Sequence, residues 1–181
     1  MSFLFDGAND NINGAFTSTY AQPMTLACHF KGAHPAAIDT YLFLGNNAAT
    51  DTDSLWLRTS ATADTYAATS RGSGASVEQA TELEIVGTAW TSYVGKFTSD
   101  ARRDVYVNAL ANTGANALTM TVAGALKYIF SGTSPAGFQE ATVRIAELAI
   151  WDVALSDADI TSYLGGTAAS GINAAHLIGY W

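Results

Sequence analysis

The run Val143–Tyr163, VRIAELAIWDVALSDADITSY, changes its hydrophobic period in mid-course. Val143, Ile145, Glu147, Ala149 and Trp151 alternate with Arg144, Ala146, Leu148 and Ile150, and towards Trp151 both sets become apolar. That is the pattern of a strand covered on both faces. Asp152–Leu155 then leaves the strand. Ser156 can accept a hydrogen bond from the Asp159 amide while the Asp159 side chain reaches back to the Ser156 amide, a reciprocal cap that starts a helix. An acidic first turn suits the helix dipole, and Ile160, Tyr163 and Leu164 form one apolar stripe. The spacing predicts a strand, a turn and one short helix docked on a sheet.

Elsewhere the apolar positions come in short runs of Val, Ile, Phe, Tyr, Leu and Thr. They are separated by turn signals at Gly7, Gly14, Gly32, Gly45-Asn46-Asn47, Gly72-Ser73-Gly74, Asn112-Thr113-Gly114 and Gly165-Gly166. Many short strands are expected, hence an all-β protein. No solenoid or heptad period is present, and no apolar run approaches the roughly 20 residues that span a bilayer, so no membrane partner is expected. A length of 181 residues suits a single domain over 1–181 that can bury a continuous core.

Charge changes the picture. Charged residues are 13% of the chain, about half of the roughly 25% usual in globular domains. The surface must therefore be built of Thr, Ser, Asn, Gly and Ala, either as a plain solvated coat or as an assembly surface, since interface cores are poor in charge and in lysine. Lys31, Lys96 and Lys127 are the only lysines, and the net charge of −8 excludes a phosphate-backbone partner, so no nucleic acid is expected. The single cysteine, Cys28, rules out an intrachain disulfide and reads as a small buried apolar residue. Met1–Phe5 lacks a basic segment and runs straight into Asp6-Gly7, so no signal peptide is expected.

Several segments resemble one family in register. The Val143–Tyr163 order is similar to the closing segment of laminin-G-like, concanavalin-A-like domains. Phe5–Ile12 resembles the family's opening "fDGsnDyv", Trp90–Phe97 its "WhhvagvF", Arg103–Ala109 its "r.vYvNG", and Leu177–Trp181 its terminal "LvgYW". The resemblance covers nearly the whole chain. It implies a concanavalin-A-like jelly-roll sandwich of two antiparallel sheets with one short helix near 156–164. Ala109 departs from the family glycine, so the hairpin that glycine's positive φ permits must be built differently. His29-Phe30 and Tyr128–Phe130 also depart from the family pattern.

Glucanases of this architecture carry strand carboxylates at i, i+2 and i+5. The nearest match, Glu82 and Glu84, has Gly87 at the third position, so the acid that protonates a leaving group is missing and no enzyme activity is expected. His29, His34 and His176 share no metal-ligand spacing, and no nucleophile elbow or phosphate loop is present. No cofactor is expected. If calcium is held, Asp6 and Asp10 are the ligands to test, with Asn9, Asn11, Asp51 and Asp53 as further oxygen donors, although Asp and Asn occupy such turns without metal. For glycans, alternation with Leu55 and Leu57 puts Trp56 and Arg58 on one strand face, while Tyr106 and Asn108 project together from another. Packing roles for Trp56 and Trp90 compete with sugar stacking.

The expected function follows from the single domain, the absent leader, the low charge and the incomplete catalytic set. It is a non-enzymatic bacteriophage virion protein, made in the host cytoplasm, that decorates or cements a capsid or sits on a fibre. Its partners would be capsid or other virion proteins and further copies of itself, a closed trimer being one candidate. The alternative is a carbohydrate-binding module attaching to surface glycans.

Overall fold

In the computed structural model, residues 2–4, 12–32, 39–47, 52–59, 65–72, 75–82, 89–108, 110–113, 119–122, 125–131 and 143–181 are described. They form two antiparallel sheets. The first holds seven strands: β1 (Ser2–Leu4), β12 (Arg144–Trp151), β3 (Met24–Lys31), β8 (Thr91–Ser99), β9 (Arg102–Val107) and β10 (Leu110–Asn112) in that order, with β13 (Leu177–Tyr180) also paired to β12. The second runs β2 (Ile12–Tyr20), β11 (Leu126–Ser131), β4 (Thr40–Gly45), β5 (Ser54–Thr59), β6 (Thr65–Gly72) and β7 (Ala75–Glu82). This is the expected jelly-roll sandwich.

Period-two alternation explains the inner layer. Leu26, Cys28, Phe30, Tyr93, Val105, Val107 and Ile145 from the seven-stranded sheet meet Leu42, Leu44, Leu55, Leu57, Tyr66 and Ala68 from the other in one buried cluster. At Gly95 the two layers approach so closely that an added Cβ would lie 2.6 Å from Leu57 Cδ2 and 3.2 Å from the Ala68 Cβ. Cys28 is fully buried in this layer, and burial pushes its thiol pKa up.

The outer face of the seven-stranded sheet is apolar too, because a second cluster lies on it. The helix α1 (Asp157–Leu164) and two single turns at Ala169–Gly171 and Ala174–His176 cover this face. Ala27, Val94, Tyr106, Ala149 and Trp151 of the sheet pack there against Leu155, Ile160, Tyr163, Ala169 and Ile172. That explains why β12 reads apolar on both sides. The helix starts as expected, with the Asp159 amide donating to Ser156 Oγ at 3.2 Å. The returning bond differs, since the Ser156 hydroxyl itself donates to Asp159 Oδ2 at 2.7 Å. An ion pair from Lys96 Nζ to Asp157 Oδ1 at 2.7 Å ties the helix start to β8. At the other end, Tyr163 OH donates to the backbone oxygen of Glu147 at 2.8 Å.

Ala109 lies outside the described residues, but the residue before it is described. Asn108 takes the left-handed conformation, at φ 52, which asparagine tolerates. Its amide donates to Ser92 O and its side-chain oxygen accepts from Ser92 N, both at 2.9 Å.

Candidate functional site

The four residues singled out for glycan contact fall on different sheets. Trp56 and Arg58 lie in β5, with Leu55 and Leu57 turned inward as alternation requires. Trp56 nevertheless is only 1% exposed. Phe43 meets it edge-on at 5.1 Å, Arg58 Cζ stands 5.5 Å over its ring, and its indole N–H donates to Ser54 Oγ. A ring covered in this way presents no face for stacking on a sugar. Tyr106 and Asn108 lie at the end of β9 in the other sheet, where both line a cleft of about 560 Å3 with Leu110, Ala111, Thr161, Leu164 and Gly165.

Beside it, across Leu164 and Gly165, opens a second cleft of about 460 Å3 that includes His29, Trp90, Ser92 and Glu147. Register builds its floor: Ala146 on β12 pairs with His29 on β3, and His29 pairs with Ser92 on β8. The walls are Trp90 and the loop after α1, Gly165–Ala168. Trp90 immediately precedes β8 and is 44% exposed, so here an aromatic ring does face solvent at the mouth of a concavity.

Glu147 owes its place to an irregularity in β12. Pairing with β3 shifts register between Ala146 and Ala149, and Leu148 exchanges both backbone bonds with Trp181 instead. Among the described residues Asp53, Asn108, Glu147 and Asn173 are the non-glycines with positive φ. Asp and Asn adopt it readily; a glutamate at φ 51 is the exception, the kind of backbone strain that collects at ligand sites. The carboxylate is also aimed. Tyr180 OH donates to it, 2.8 Å from each oxygen, and the Ala169 amide donates to Oε2 at 3.4 Å. Tyr163 stands edge-on to His29 at 4.7 Å. Burial lowers the His29 pKa, outweighing the Glu147 charge and a hydrogen bond to the Tyr163 backbone, so the neutral imidazole is favoured.

Chemically the cleft offers an apolar plate, a fixed carboxylate acceptor and an imidazole. Among the described residues lining either cleft, Glu147 is the single carboxylate, and there is no lysine or arginine. Glycoside hydrolysis uses a pair of acids. The strand-borne pair considered for that chemistry is divided: Glu82 ends β7, whereas Glu84 lies outside the described residues. The calcium candidates Asp6 and Asp10 also lie outside them, with Asn9, Asn11 and Asp51. Asp53 serves a turn, its backbone oxygen accepting from the Asn46 amide and its carboxylate from Asn46 Nδ2, both at 3.1 Å. No group of three or more His, Cys, Asp or Glu among the described residues is placed to hold a metal ion.

His29 and Glu147 are not glycan candidates in the sequence reading, and Trp90 enters it only as a residue for which packing competes with sugar stacking. The signals were present: an aromatic just ahead of a strand, outside its alternation, and an acid in the middle of an apolar run.

Residues 6–161 match the family model Laminin_G_3, described as the concanavalin A-like lectin/glucanases superfamily. A sequence search of curated proteins found no match. Among solved structures, the chain is similar to the enzymatically active domain of bacteriophage CBA120 tailspike protein 2, at 15% identity and a TM-score of 0.65, covering 93% of this chain and 28% of that one. It thus spans under a third of that tailspike chain. It is also similar to a heptameric SAP-like pentraxin from Limulus polyphemus, at 17% identity and a TM-score of 0.63, covering 95% of this chain and 83% of that one. A third likeness is to the Ruminococcus gnavus IT-sialidase CBM40 bound to α2,3 sialyllactose, at 11% identity and a TM-score of 0.62, covering 91% of this chain and 98% of that one. At such identities these likenesses establish the fold.

Proposed function

The chain belongs to the concanavalin A-like lectin/glucanases superfamily, and from that premise we propose that it is a non-enzymatic glycan-binding protein whose site is the cleft formed by Trp90, Glu147 and His29. The observation that carries this reading is the exposed Trp90 ring standing in one cleft with a carboxylate that Tyr180 and Ala169 hold in place. Sugars present both an apolar ring face and hydroxyls that donate and accept. An aromatic plate beside an oriented acceptor meets both needs. The lone carboxylate supports binding without hydrolysis, because the partner acid is missing from the described lining. The likeness to a carbohydrate-binding module solved with a bound glycan supports glycans in general as the ligand.

A glycan array with purified protein tests this, followed by calorimetry on the hits with Trp90→Ala and Glu147→Gln. Both variants change exposed or half-buried positions and are expected to fold, as circular dichroism would check. Trp90→Ala should lose more than about 1 kcal/mol of binding, the loss that marks a contact carrying binding energy. Unchanged binding in Trp90→Ala would remove this site.

A second reading concerns where the protein acts. The structural likeness to a phage tailspike, together with a charged fraction of only 13%, favours a virion component that decorates a capsid or sits on a fibre, in a homo-oligomer that shares the uncharged surface. Mass spectrometry of purified particles for this polypeptide tests it. Absence of the chain from them, with no binding to stripped particles, would contradict it.

A further inference from the structure

The two clefts share Leu164 and Gly165, and their floors meet where Ser92 and Asn108 exchange hydrogen bonds. We infer that they form one continuous groove that binds an extended, uncharged oligosaccharide, running past the C-terminal end of α1 from Glu147 to Leu110. This rests on the glycan-binding reading and narrows it to a chain length and a charge.

Length follows from topology. The groove crosses β12, β3, β8, β9 and β10, which are consecutive neighbours in the sheet. Four strand spacings of about 4.8 Å give roughly 19 Å, a span that one or two pyranose rings cannot fill. Exposed apolar side chains stand at two points along it, Trp90 at 44% just ahead of the central strand β8 and Leu110 at 42% on β10 at one end. Neither packs on the buried cluster beneath α1, so both stand ready to cover an apolar sugar face.

Polar groups along the groove suit hydroxyls at both ends. Glu147 accepts. At the far end the Asn108 side-chain oxygen is taken by the Ser92 amide, so its NH2 is the group it offers to a ligand. The Thr161 hydroxyl donates to Asp157 O at 2.7 Å, which leaves its lone pairs as acceptors.

Charge follows from the lining. An anionic sugar would face Glu147 without a lysine or arginine from the described lining residues to offset it. Lys96, on the same side of the sheet, is engaged by Asp157 at 2.7 Å and Asp104 at 3.8 Å. The net charge of −8 adds a repulsive field.

Calorimetry with neutral gluco-oligosaccharides and N-acetylglucosamine oligomers, each from monosaccharide to hexasaccharide, tests the inference against matched oligogalacturonates. For a neutral series, affinity should rise by about tenfold between the disaccharide and the longer oligomers. Leu110→Ser, at an exposed position, should abolish that gain. Equal affinity for short and long neutral oligomers, or a preference for oligogalacturonate, would overturn the groove and leave the Trp90 cleft standing as a sugar site. No binding of any oligomer, neutral or acidic, would overturn both.

Discussion

Asp39, just before β4, is 1% exposed, and burial raises its pKa from the ordinary 3.8 to about 7. Its Oδ2 has no hydrogen-bond partner among the described residues. The folded protein therefore keeps this proton to higher pH than the unfolded chain does. Stability should fall as pH rises from about 4 through about 7, and the penalty should be complete above that. Asp39→Asn should remove this slope and raise the melting temperature above pH 7 while changing little near pH 4. Parallel pH profiles for the two proteins would contradict the assignment. Glu147 and Trp90 are the residue-scale features that matter for function, and alternation alone could not find them. The strand pattern placed Trp56 and Arg58 on the outer face of β5, as observed, yet alternation says which way a side chain points and not what covers it. Trp56 is buried on its outward side; Trp90, outside any strand period, is the exposed one. Glu147 reads in sequence as a strand-edge acid, and its role depends on a shift in register and on Tyr180, more than thirty residues downstream.

At the scale of elements, the helix and its cap were the most legible features, because capping and the Ile160–Tyr163–Leu164 stripe are local in sequence. Ser156→Ala should cost about 1 kcal/mol, the usual loss for an N-cap hydroxyl, measured by chemical denaturation. A loss near zero would mean that the ion pair Lys96–Asp157 and the Tyr163 bond hold the helix without the cap. The turn after β9 was half legible. The family glycine is replaced at Ala109, which lies outside the described residues, and Asn108 before it is left-handed. Gly95 makes a contrasting case, since its need is set by the opposite sheet. Gly95→Ala should cost about 1–3 kcal/mol through overpacking against Leu57 and Ala68, and an unchanged melting temperature would show that the layers give way.

At the scale of the molecule, two apolar layers divide the work. One lies between the sheets and holds the sandwich together; the other lies under α1 and shapes the groove at the helix's end. The sandwich follows from period and turn signals, whereas the groove arises where five strands and a loop distant in sequence meet, which no local pattern reports. If the uncharged surface is an assembly surface, light scattering after size exclusion should find a closed homo-oligomer at micromolar concentration; a strict monomer would contradict that reading. On the proposed reading a glycan binds the helix-bearing face through Trp90 and Glu147. Amide chemical-shift mapping by NMR with a neutral oligosaccharide selected from the array tests it most directly. Perturbations should concentrate at His29, Trp90, Ser92, Glu147 and Gly165–Ala168 and extend to Asn108 and Leu110. Perturbations confined instead to the six-stranded sheet, around Asn13, Tyr128 and Phe130, would contradict it.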